Sequence, residues 1–449
     1  MSLGNFLRQM EKEKQVLHVK EEVSTRFEVS HVLKDCDDNG PVLMFDKIDG
    51  HTTKVVGNVC GTRKRLCRAL NVGEGGLYEK LMEAWRPSGR TKVANDGPVK
   101  EVLEKTVDLS KVPFLTHFEK DAGPYATSGV IHAKSPDGRV ENVSVHRLQI
   151  LDKTHFAIRL VPRHLFNLWN MAKAAGRDLD VAISIGMHPA VLLAASSPVA
   201  FGVCEFDVAN ALMGGDLRLV DCEHVDAHAP AEAELVLEGR ISTTKEVVEG
   251  PFVDVTGTYD IQRKQPVVEV VGIMRREEYV YEALLPSGAE HRLLMGLPHE
   301  VLIWDSVTKV VPKIGAVNLS VGGCGWLHAV IAVEKQVDGD GKNALLAAFA
   351  AHPSLKHAVV VDTDIDVFDA CDVEWAIATR FQAGEDLVLV PNARGSTLDC
   401  SANQETGLTT KVGVDATRPL GKPREKFDRA RIPVDERFER LVCRLRGSA

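Results

Sequence analysis

Two carboxylates bracket a Gly-Pro turn in the segment EGPFVD, with Glu249 before the turn and Asp254 after it. The turn interrupts strand alternation, so the two side chains can reach one point. Carboxylates paired in this way suit proton transfer when burial drives their proton affinities apart. Asp and Glu are also ordinary neighbours of a Gly-Pro turn, and the segment alone leaves both readings open. Arg147 adds weight to the chemical one. The stretch ENVSVHRLQIL alternates as a strand, placing Asn142, Ser144 and His146 on one face and Val143, Val145 and Arg147 on the other. An arginine on an apolar face asks for a buried acidic partner.

A second set of chemistry-bearing residues is more dispersed. His164 opens a helix after Pro162 and Arg163, and Glu205 opens another after a run of apolar and small residues. With Asn142 they would supply an imidazole, a carboxylate and an amide oxygen, a mixture suited to Mn(II) or a similar cation. Spacing alone does not bring them together, and each also reads as a helix-end or solvent-side residue. Other chelator-like stretches carry less. DCEHVDAHAPAEAE reads as a solvated connector, DTDID lacks the glycine of a calcium loop, and DGDGKN lacks the Ser/Thr of a phosphate loop. Nine cysteines without a CxxC spacing argue against a disulfide framework or a thiolate zinc site. Cys324, in GGCGW, is either a thiol nucleophile or part of a turn packed beneath a site.

These side chains need a large scaffold to position them. A chain of 449 residues exceeds one hydrophobic core and implies two or three domains. The spacing predicts an α+β, α/β multidomain protein: an N-terminal α/β domain over 1–105, a central domain over 106–300, and a C-terminal α/β domain over 301–449. In the central part, strands dominate: 127–133, 141–151, 155–160, 181–187, 217–222, 234–241, 252–259 and 266–274, with shorter helices at 164–175 and 206–213. That pattern favours an antiparallel barrel, able to hold a flat cofactor against its wall. After about residue 300 strands and helices alternate, as in a sheet buried on both faces. The net charge of −9 and the lack of a basic stripe argue against nucleic acid. No apolar run is long enough to span a bilayer and no secretory signal is present, so a cytoplasmic enzyme is expected.

Taken in order, the NVSVHR of Asn142 to Arg147, Arg163 with His164, Glu205, EGPFVD and the TKVGVDAT of Thr410 to Thr417 resemble the UbiD family of decarboxylases, which use prenylated FMN. The resemblance runs over nearly the whole chain. It implies a split β-barrel as the central flavin-binding domain and a C-terminal domain used to form homodimers or larger homo-oligomers. It further implies that Asn142, His164 and Glu205 ligate a divalent metal, usually Mn(II), with K+ close to the carbonyls of Ala195 and Ser196. Thr127, Ser144, Val145, His146, Arg147, Arg163 and Lys411 would complete the cofactor cradle. Arg147, Glu249 and Asp254 match the catalytic trio, whose last position is Glu in some members. The implied reaction is reversible, non-oxidative loss of CO2 from an unsaturated acid through a covalent adduct with the cofactor. Asp254 would deliver the proton, supported by Arg147 and Glu249. A flavin prenyltransferase would supply the cofactor.

The segment EALLPSGAEHRLLMGLPHE borders the substrate in this family, which makes His291, Arg292, Leu294, Met295 and His299 candidate lining residues, although each also reads as part of a connecting segment. No cluster of basic residues is evident there, so an aromatic or heteroaromatic acid is the expected substrate and a phosphorylated acrylic acid of isoprenoid synthesis the alternative. An FMN-dependent oxidoreductase and a non-catalytic subunit of a larger carboxylase are the other readings. Neither requires the trio.

Overall fold

The computed structural model describes the chain from Met1 to Arg446 except Asp38, Ser88, Arg431, Val434 and Asp435. The end of the expected C-terminal domain, 447–449, lies outside the described residues.

Near the N-terminus, a four-stranded sheet runs in the order Val16–Val23, Val42–Ile48, Lys54–Gly57, Val280–Ala283. Its helices start where their sequences provide a cap: the Ser2 hydroxyl accepts from the amide of Asn5, and that of Thr62 from Arg65. The strand Val16–Val23 is an edge strand whose charged side chains face solvent, so its sequence carries no strand alternation. Val280–Ala283 returns from far along the chain to pair with Lys54–Gly57, tying the central region to this sheet.

The central sheet has nine strands. Along its main path it runs Tyr125–Ala126, Leu148–Ile150, His155–Ile158, Arg263–Arg275, Leu235–Glu249, Leu179–Ile185, Val130–Lys134, Glu141–Val145, and Val102–Glu104 pairs with Arg263–Arg275. Two short links, 127–129 and 146–147, each join strands that lie six places apart in this order. In a flat sheet, six steps of about 4.8 Å make about 29 Å. The extended chain from Ala126 to Val130 spans at most about 14 Å, and that from Val145 to Leu148 about 11 Å. The sheet must therefore roll up until its edges nearly meet, and residues 127–129 and 146–147 cross the remaining seam. This is the expected split barrel.

Two strand expectations are corrected here. The stretch 141–151 is two strands broken at His146 and Arg147. The stretch 252–259 is a small hairpin, Phe252–Val253 paired with Tyr259–Asp260 around a turn. The DCEHVDAHAPAEAE segment is not a solvated connector either, because Ala227, Ala229, Ala231 and Ala233 are buried and His228–Pro230 is a strand.

The helix Ala289–Thr308 leads into a five-stranded sheet ordered Ile314–Leu319, His328–Val333, His357–Asp362, Leu408–Ala416, Leu387–Arg394. Its middle strand shows why both faces are apolar. Ala358 and Val360 pack with helices Ala289–Thr308 and Asp340–Ala351, while Val359 and Val361 pack against Ala370–Arg380.

Candidate active site

The seam and the long strand Leu235–Glu249 together assemble the trio. That strand slips register between Ile241 and Glu246, leaves the barrel wall, and ends with Glu249 opposite Arg263. Gly250 then adopts φ 90°, a conformation that favours glycine, and turns the chain into the Phe252–Val253 hairpin. The turn is pinned on both sides: Gln149 accepts from the Gly250 amide at 3.2 Å and Gln262 donates to the Gly250 carbonyl at 3.1 Å.

Arg147, in the seam, is the hub. Its Nε and Nη2 donate to the two oxygens of Glu249, both at 3.0 Å, a bidentate pair. Nη1 donates to Asp254 at 3.2 Å, and Nη2 also reaches Asp260 at 3.1 Å. The guanidinium lies 5.1 Å from the centre of the Phe252 ring. Burial opposes the charge on Arg147, but Glu249 and then Asp254 and Asp260 outweigh it and raise its pKa. Burial, with Glu249 beside it, also pushes the Tyr125 phenol up, which keeps it a donor to Glu249 at 3.2 Å. Glu249 is fully enclosed, whereas the side chain of Asp254 keeps 22% of its exposure. Asp254 lines a cavity of about 170 Å³ with Thr256, Thr258, Asp260, Thr397 and Gln404, closed on one side by a loop of the C-terminal region.

Asp260 and Arg159 were not singled out from the sequence. Asp260 accepts from Arg147, from Arg159 at 3.3 Å and from Arg263 at 2.9 Å. Burial would raise its pKa, but the three guanidiniums reverse the direction and lower it. Three arginines thus face three carboxylates, Glu249, Asp254 and Asp260. The only sequence signal was position, since Tyr259–Asp260 mirrors Phe252–Val253 across a GT-containing turn. Asp121 lies behind the trio; burial raises its pKa to about 6 even though the amides of Phe118 and His117 donate to it.

The second set also converges. Glu205 accepts from Asn142 Nδ2 at 2.9 Å and from the Val143 amide at 2.6 Å, and His164 Nδ1 lies 3.8 Å from it. Ser144 donates to the Asn142 oxygen at 3.0 Å and sits at the same distance from His146. Burial raises the pKa of Glu205, although His164 opposes that rise. A desolvated carboxylate with one imidazole and one amide oxygen is a donor set that a divalent cation would satisfy. Among the described residues, no group of three His, Cys, Asp or Glu side chains gathers to hold a metal, so the amide of Asn142 is needed to complete this set. Thr127 accepts from the Leu284 amide at 3.3 Å, which ties the other seam crossing to the N-terminal sheet.

The remaining candidates divide. His291 sits beside the trio, close enough for Asp254 to act on it, while burial keeps its pKa low. Arg292 turns away to Asp37 at 3.2 Å, and Leu294 is core. Met295 gives its carbonyl to His299 Nδ1 at 3.0 Å. Lys411 is buried, its ammonium on the carbonyls of Pro353 at 2.7 Å and Leu355 at 2.5 Å, and burial lowers its pKa to about 8. Cys324 adopts φ 62° in its turn, with Sγ 3.8 Å from the Thr256 carbonyl.

A search of protein families matches three consecutive domains of 3-octaprenyl-4-hydroxybenzoate carboxy-lyase: the N-terminal domain over 7–85, the Rift-related domain over 91–289 and the C-terminal domain over 292–416. The chain belongs to the UbiD family. It is a decarboxylase of that class. Among curated UbiD relatives, the anhydromevalonate phosphate decarboxylase of Methanothermobacter thermautotrophicus is 44% identical, covering 95% of this chain and 99% of its own. That of Methanosarcina mazei is 43% identical, covering 97% and 100%. Among solved structures, the UbiD-class enzyme HmfF from Pelotomaculum thermopropionicum, in complex with FMN, aligns with TM-score 0.94 and 40% identity over 96% of this chain and 98% of its own. The 3,4-dihydroxybenzoic acid decarboxylase AroY of Klebsiella pneumoniae aligns with TM-score 0.90 and 26% identity, covering 97% and 98%.

Proposed function

We propose that this UbiD-family chain decarboxylates a phosphorylated, α,β-unsaturated acid of the anhydromevalonate phosphate type, with prenylated FMN as cofactor. Curated relatives at 43–44% identity over almost the whole chain support that substrate class, which replaces the aromatic acid expected from the sequence. The observation that carries the chemistry is the bidentate Arg147–Glu249 pair with Asp254 on the remaining nitrogen.

Prenylated FMN, when bound, supplies an electron sink for the carbon framework that loses CO2. The residues that border the seam, Thr127, Ser144, Val145, His146 and Arg163, would hold it, and Lys411 would act from the C-terminal domain. Asn142, His164 and Glu205 would bind its phosphate through Mn(II) or a similar cation, with K+ near Ala195 and Ser196. Asp254 acts as the proton donor, because it alone of the two trio carboxylates reaches the cavity and can be reprotonated from solvent. Glu249, sealed in and doubly bonded, holds Arg147 rigid, and Arg147 holds Asp254 in place.

The same reading makes the enzyme dependent on a flavin prenyltransferase and cytoplasmic. It also makes the enzyme a homo-oligomer through the C-terminal sheet, whose edge strand Leu387–Arg394 exposes Leu387 and Leu389. No helix among the described residues is long and apolar enough to cross a membrane. The test is to produce the protein with and without a flavin prenyltransferase and to measure CO2 release from anhydromevalonate phosphate, its dephosphorylated form and a panel of aromatic acids. Turnover confined to the prenylated enzyme and the phosphorylated acid is expected. Turnover with unmodified FMN would overturn the cofactor assignment, and turnover of aromatic acids alone would overturn the substrate.

A further inference from the structure

Arg147 supplies only part of the hold on Asp254, through one bond of 3.2 Å. The rest comes from the hairpin that carries Asp254. The Val255 amide donates to Asp254 Oδ1 at 2.6 Å, the Asp254 amide to the Thr258 carbonyl at 3.1 Å, and the Gly257 amide to the Asp254 carbonyl at 2.8 Å. Each strand of this hairpin, Phe252–Val253 and Tyr259–Asp260, is only two residues long. A two-stranded hairpin of that size has little stability of its own, so its position must be fixed from outside.

The loop 116–122 meets the hairpin on both sides: the Ala122 amide donates to the Pro251 carbonyl at 3.1 Å, and the Lys120 amide to the Tyr259 hydroxyl at 3.0 Å. The loop is itself anchored. Thr116 donates to the Thr25 carbonyl at 3.1 Å and accepts from the Phe27 amide at 2.9 Å, and beyond the loop the Tyr125 amide returns to the Leu115 carbonyl at 2.9 Å. Between these anchors one carboxylate gathers the chain. Asp121 Oδ2 accepts from the amides of His117 at 3.1 Å and Phe118 at 2.9 Å, and the Asp121 side chain is sealed from solvent.

Phe252, two residues before Asp254, carries the contact inward. Its ring centre lies 4.0 Å from that of Tyr125, 6.0 Å from that of His117, which meets it edge-on, and 5.1 Å from the Arg147 guanidinium. His117 acts here as a ring and not as a base. It is buried, neither ring nitrogen has a hydrogen-bond partner among the described residues, and Nδ1 stands 4.0 Å from Asp121, beyond bonding distance. Burial also lowers its pKa to about 3, which keeps it neutral. Asp121 thus joins the loop to the hairpin without lining the cavity in front of Asp254.

We propose that Asp121 is a positioning residue for the proton transfer: by gathering loop 116–122 against the Phe252–Val253 strand, it holds Asp254 in place against Arg147. The inference rests on Asp254 being the proton donor. Asp121→Ala and Asp121→Asn are made in the prenylated holoenzyme, with Asp254→Asn as the reference. The measurements are kcat and KM for CO2 release from anhydromevalonate phosphate, and hydrogen–deuterium exchange at the product carbon. Bound flavin is quantified by absorbance, and backbone amide exchange over 250–260 by mass spectrometry.

In Asp121→Ala, kcat should fall about tenfold to a hundredfold while KM stays within about twofold. Flavin content stays unchanged, and the amides of Asp254, Val255 and Gly257 lose protection while the barrel strands keep theirs. Asp121→Asn keeps an oxygen for the two loop amides and should recover most of the rate and the protection. Unchanged kcat or unchanged hairpin protection in Asp121→Ala would overturn the proposal. So would loss of flavin, or an Asp121→Asn variant as slow as Asp121→Ala, which would make the charge and not the hydrogen bonds decisive. If Asp121→Ala does not fold, Tyr259→Phe removes the acceptor of the Lys120 amide, and unchanged hairpin protection there refutes the clamp. Full product exchange in Asp254→Asn would refute the donor, and no turnover of this acid by the wild type would refute the substrate. In either case amide exchange still decides: protection lost in Asp121→Ala and kept in Asp121→Asn retains the hold on the hairpin, and any other pattern refutes it.

Discussion

Asp260→Asn removes one charge from a site in which three arginines balance three carboxylates, while leaving the side chain's shape nearly intact. Asp260 bonds Arg147 at 3.1 Å, Arg159 at 3.3 Å and Arg263 at 2.9 and 3.0 Å, and its side chain is only 7% exposed. Leaving a buried charge uncompensated costs about 3–5 kcal/mol. The side chains of Arg159 and Arg263 keep 16% and 24% of their exposure, which places the stability loss at the lower end, about 3 kcal/mol. The effect on turnover follows from Arg147. It loses one charge-assisted bond of about 1.5–3 kcal/mol but remains clamped by Glu249. At about 1.4 kcal/mol per decade, kcat should fall about tenfold to a hundredfold, with KM moving little. The assay is hydrogen–deuterium exchange at the product carbon together with CO2 release by the prenylated holoenzyme, with flavin content and Tm as controls. Asp260→Glu should recover part of the rate because it restores the charge. Full exchange activity in a folded Asp260→Asn variant would refute the idea that Asp260 positions Arg147.

Other outcomes follow from the same geometry. Glu205→Gln and Asn142→Ala should lower bound divalent metal and retained flavin together, read by elemental analysis and absorbance; unchanged content in both would reject the metal assignment. Gly296 sits in helix Ala289–Thr308 where a Cβ would come within 2.6 Å of the Gly325 carbonyl, so Gly296→Ala should cost about 1–3 kcal/mol of stability, visible as a lower Tm. Burial holds His117, His188 and His352 at pKa values of about 3, 4 and 2, below the ordinary 6.5, so the unfolded chain binds more protons below that point. The stability they contribute is complete above pH 6.5 and is lost as pH falls through their folded values, about 3 kcal/mol each by pH 4. Asp121, raised to about 6, works in the opposite sense between pH 3.8 and 6 and offsets about one of them. The urea midpoint should therefore drop between pH 6.5 and 4; a flat midpoint would contradict these assignments.

The trio was legible because its members lie in short segments whose anomalies are local: an arginine amid apolar alternation and two acids around a Gly-Pro turn. Even there the reason differed in part. Arg147 does not belong to a continuous strand but to a link across the barrel seam, and strand spacing together with chain reach requires that link to lie in the seam. Asp260 and Arg159 left no such trace, because an acid in a two-residue strand and an arginine at a strand end are ordinary until the hairpin folds them onto Arg147. Helix Pro189–Ala195 went unread because its residues are buried on every side, leaving no amphipathic period to detect.

That division has a physical cause. Proton transfer needs a few groups held within hydrogen-bond reach, which the barrel seam and its hairpin supply although Arg147 and Glu249 are 102 residues apart. Access to Asp254 is bounded differently, because Thr397 and Gln404 of the C-terminal region line its cavity and tie it to the junction of the barrel with the C-terminal sheet. The junction is set by close contacts such as Gly296 against the Gly325 carbonyl, which hold the turn bearing Trp326 against the long helix bearing His299. A substitution at that junction should therefore change KM before it changes the chemistry at Asp254. Gly296→Ala, destabilised but folded, would show this as a KM effect with near-normal exchange in the product; a kcat loss of equal size would mean that domain packing governs the trio as well.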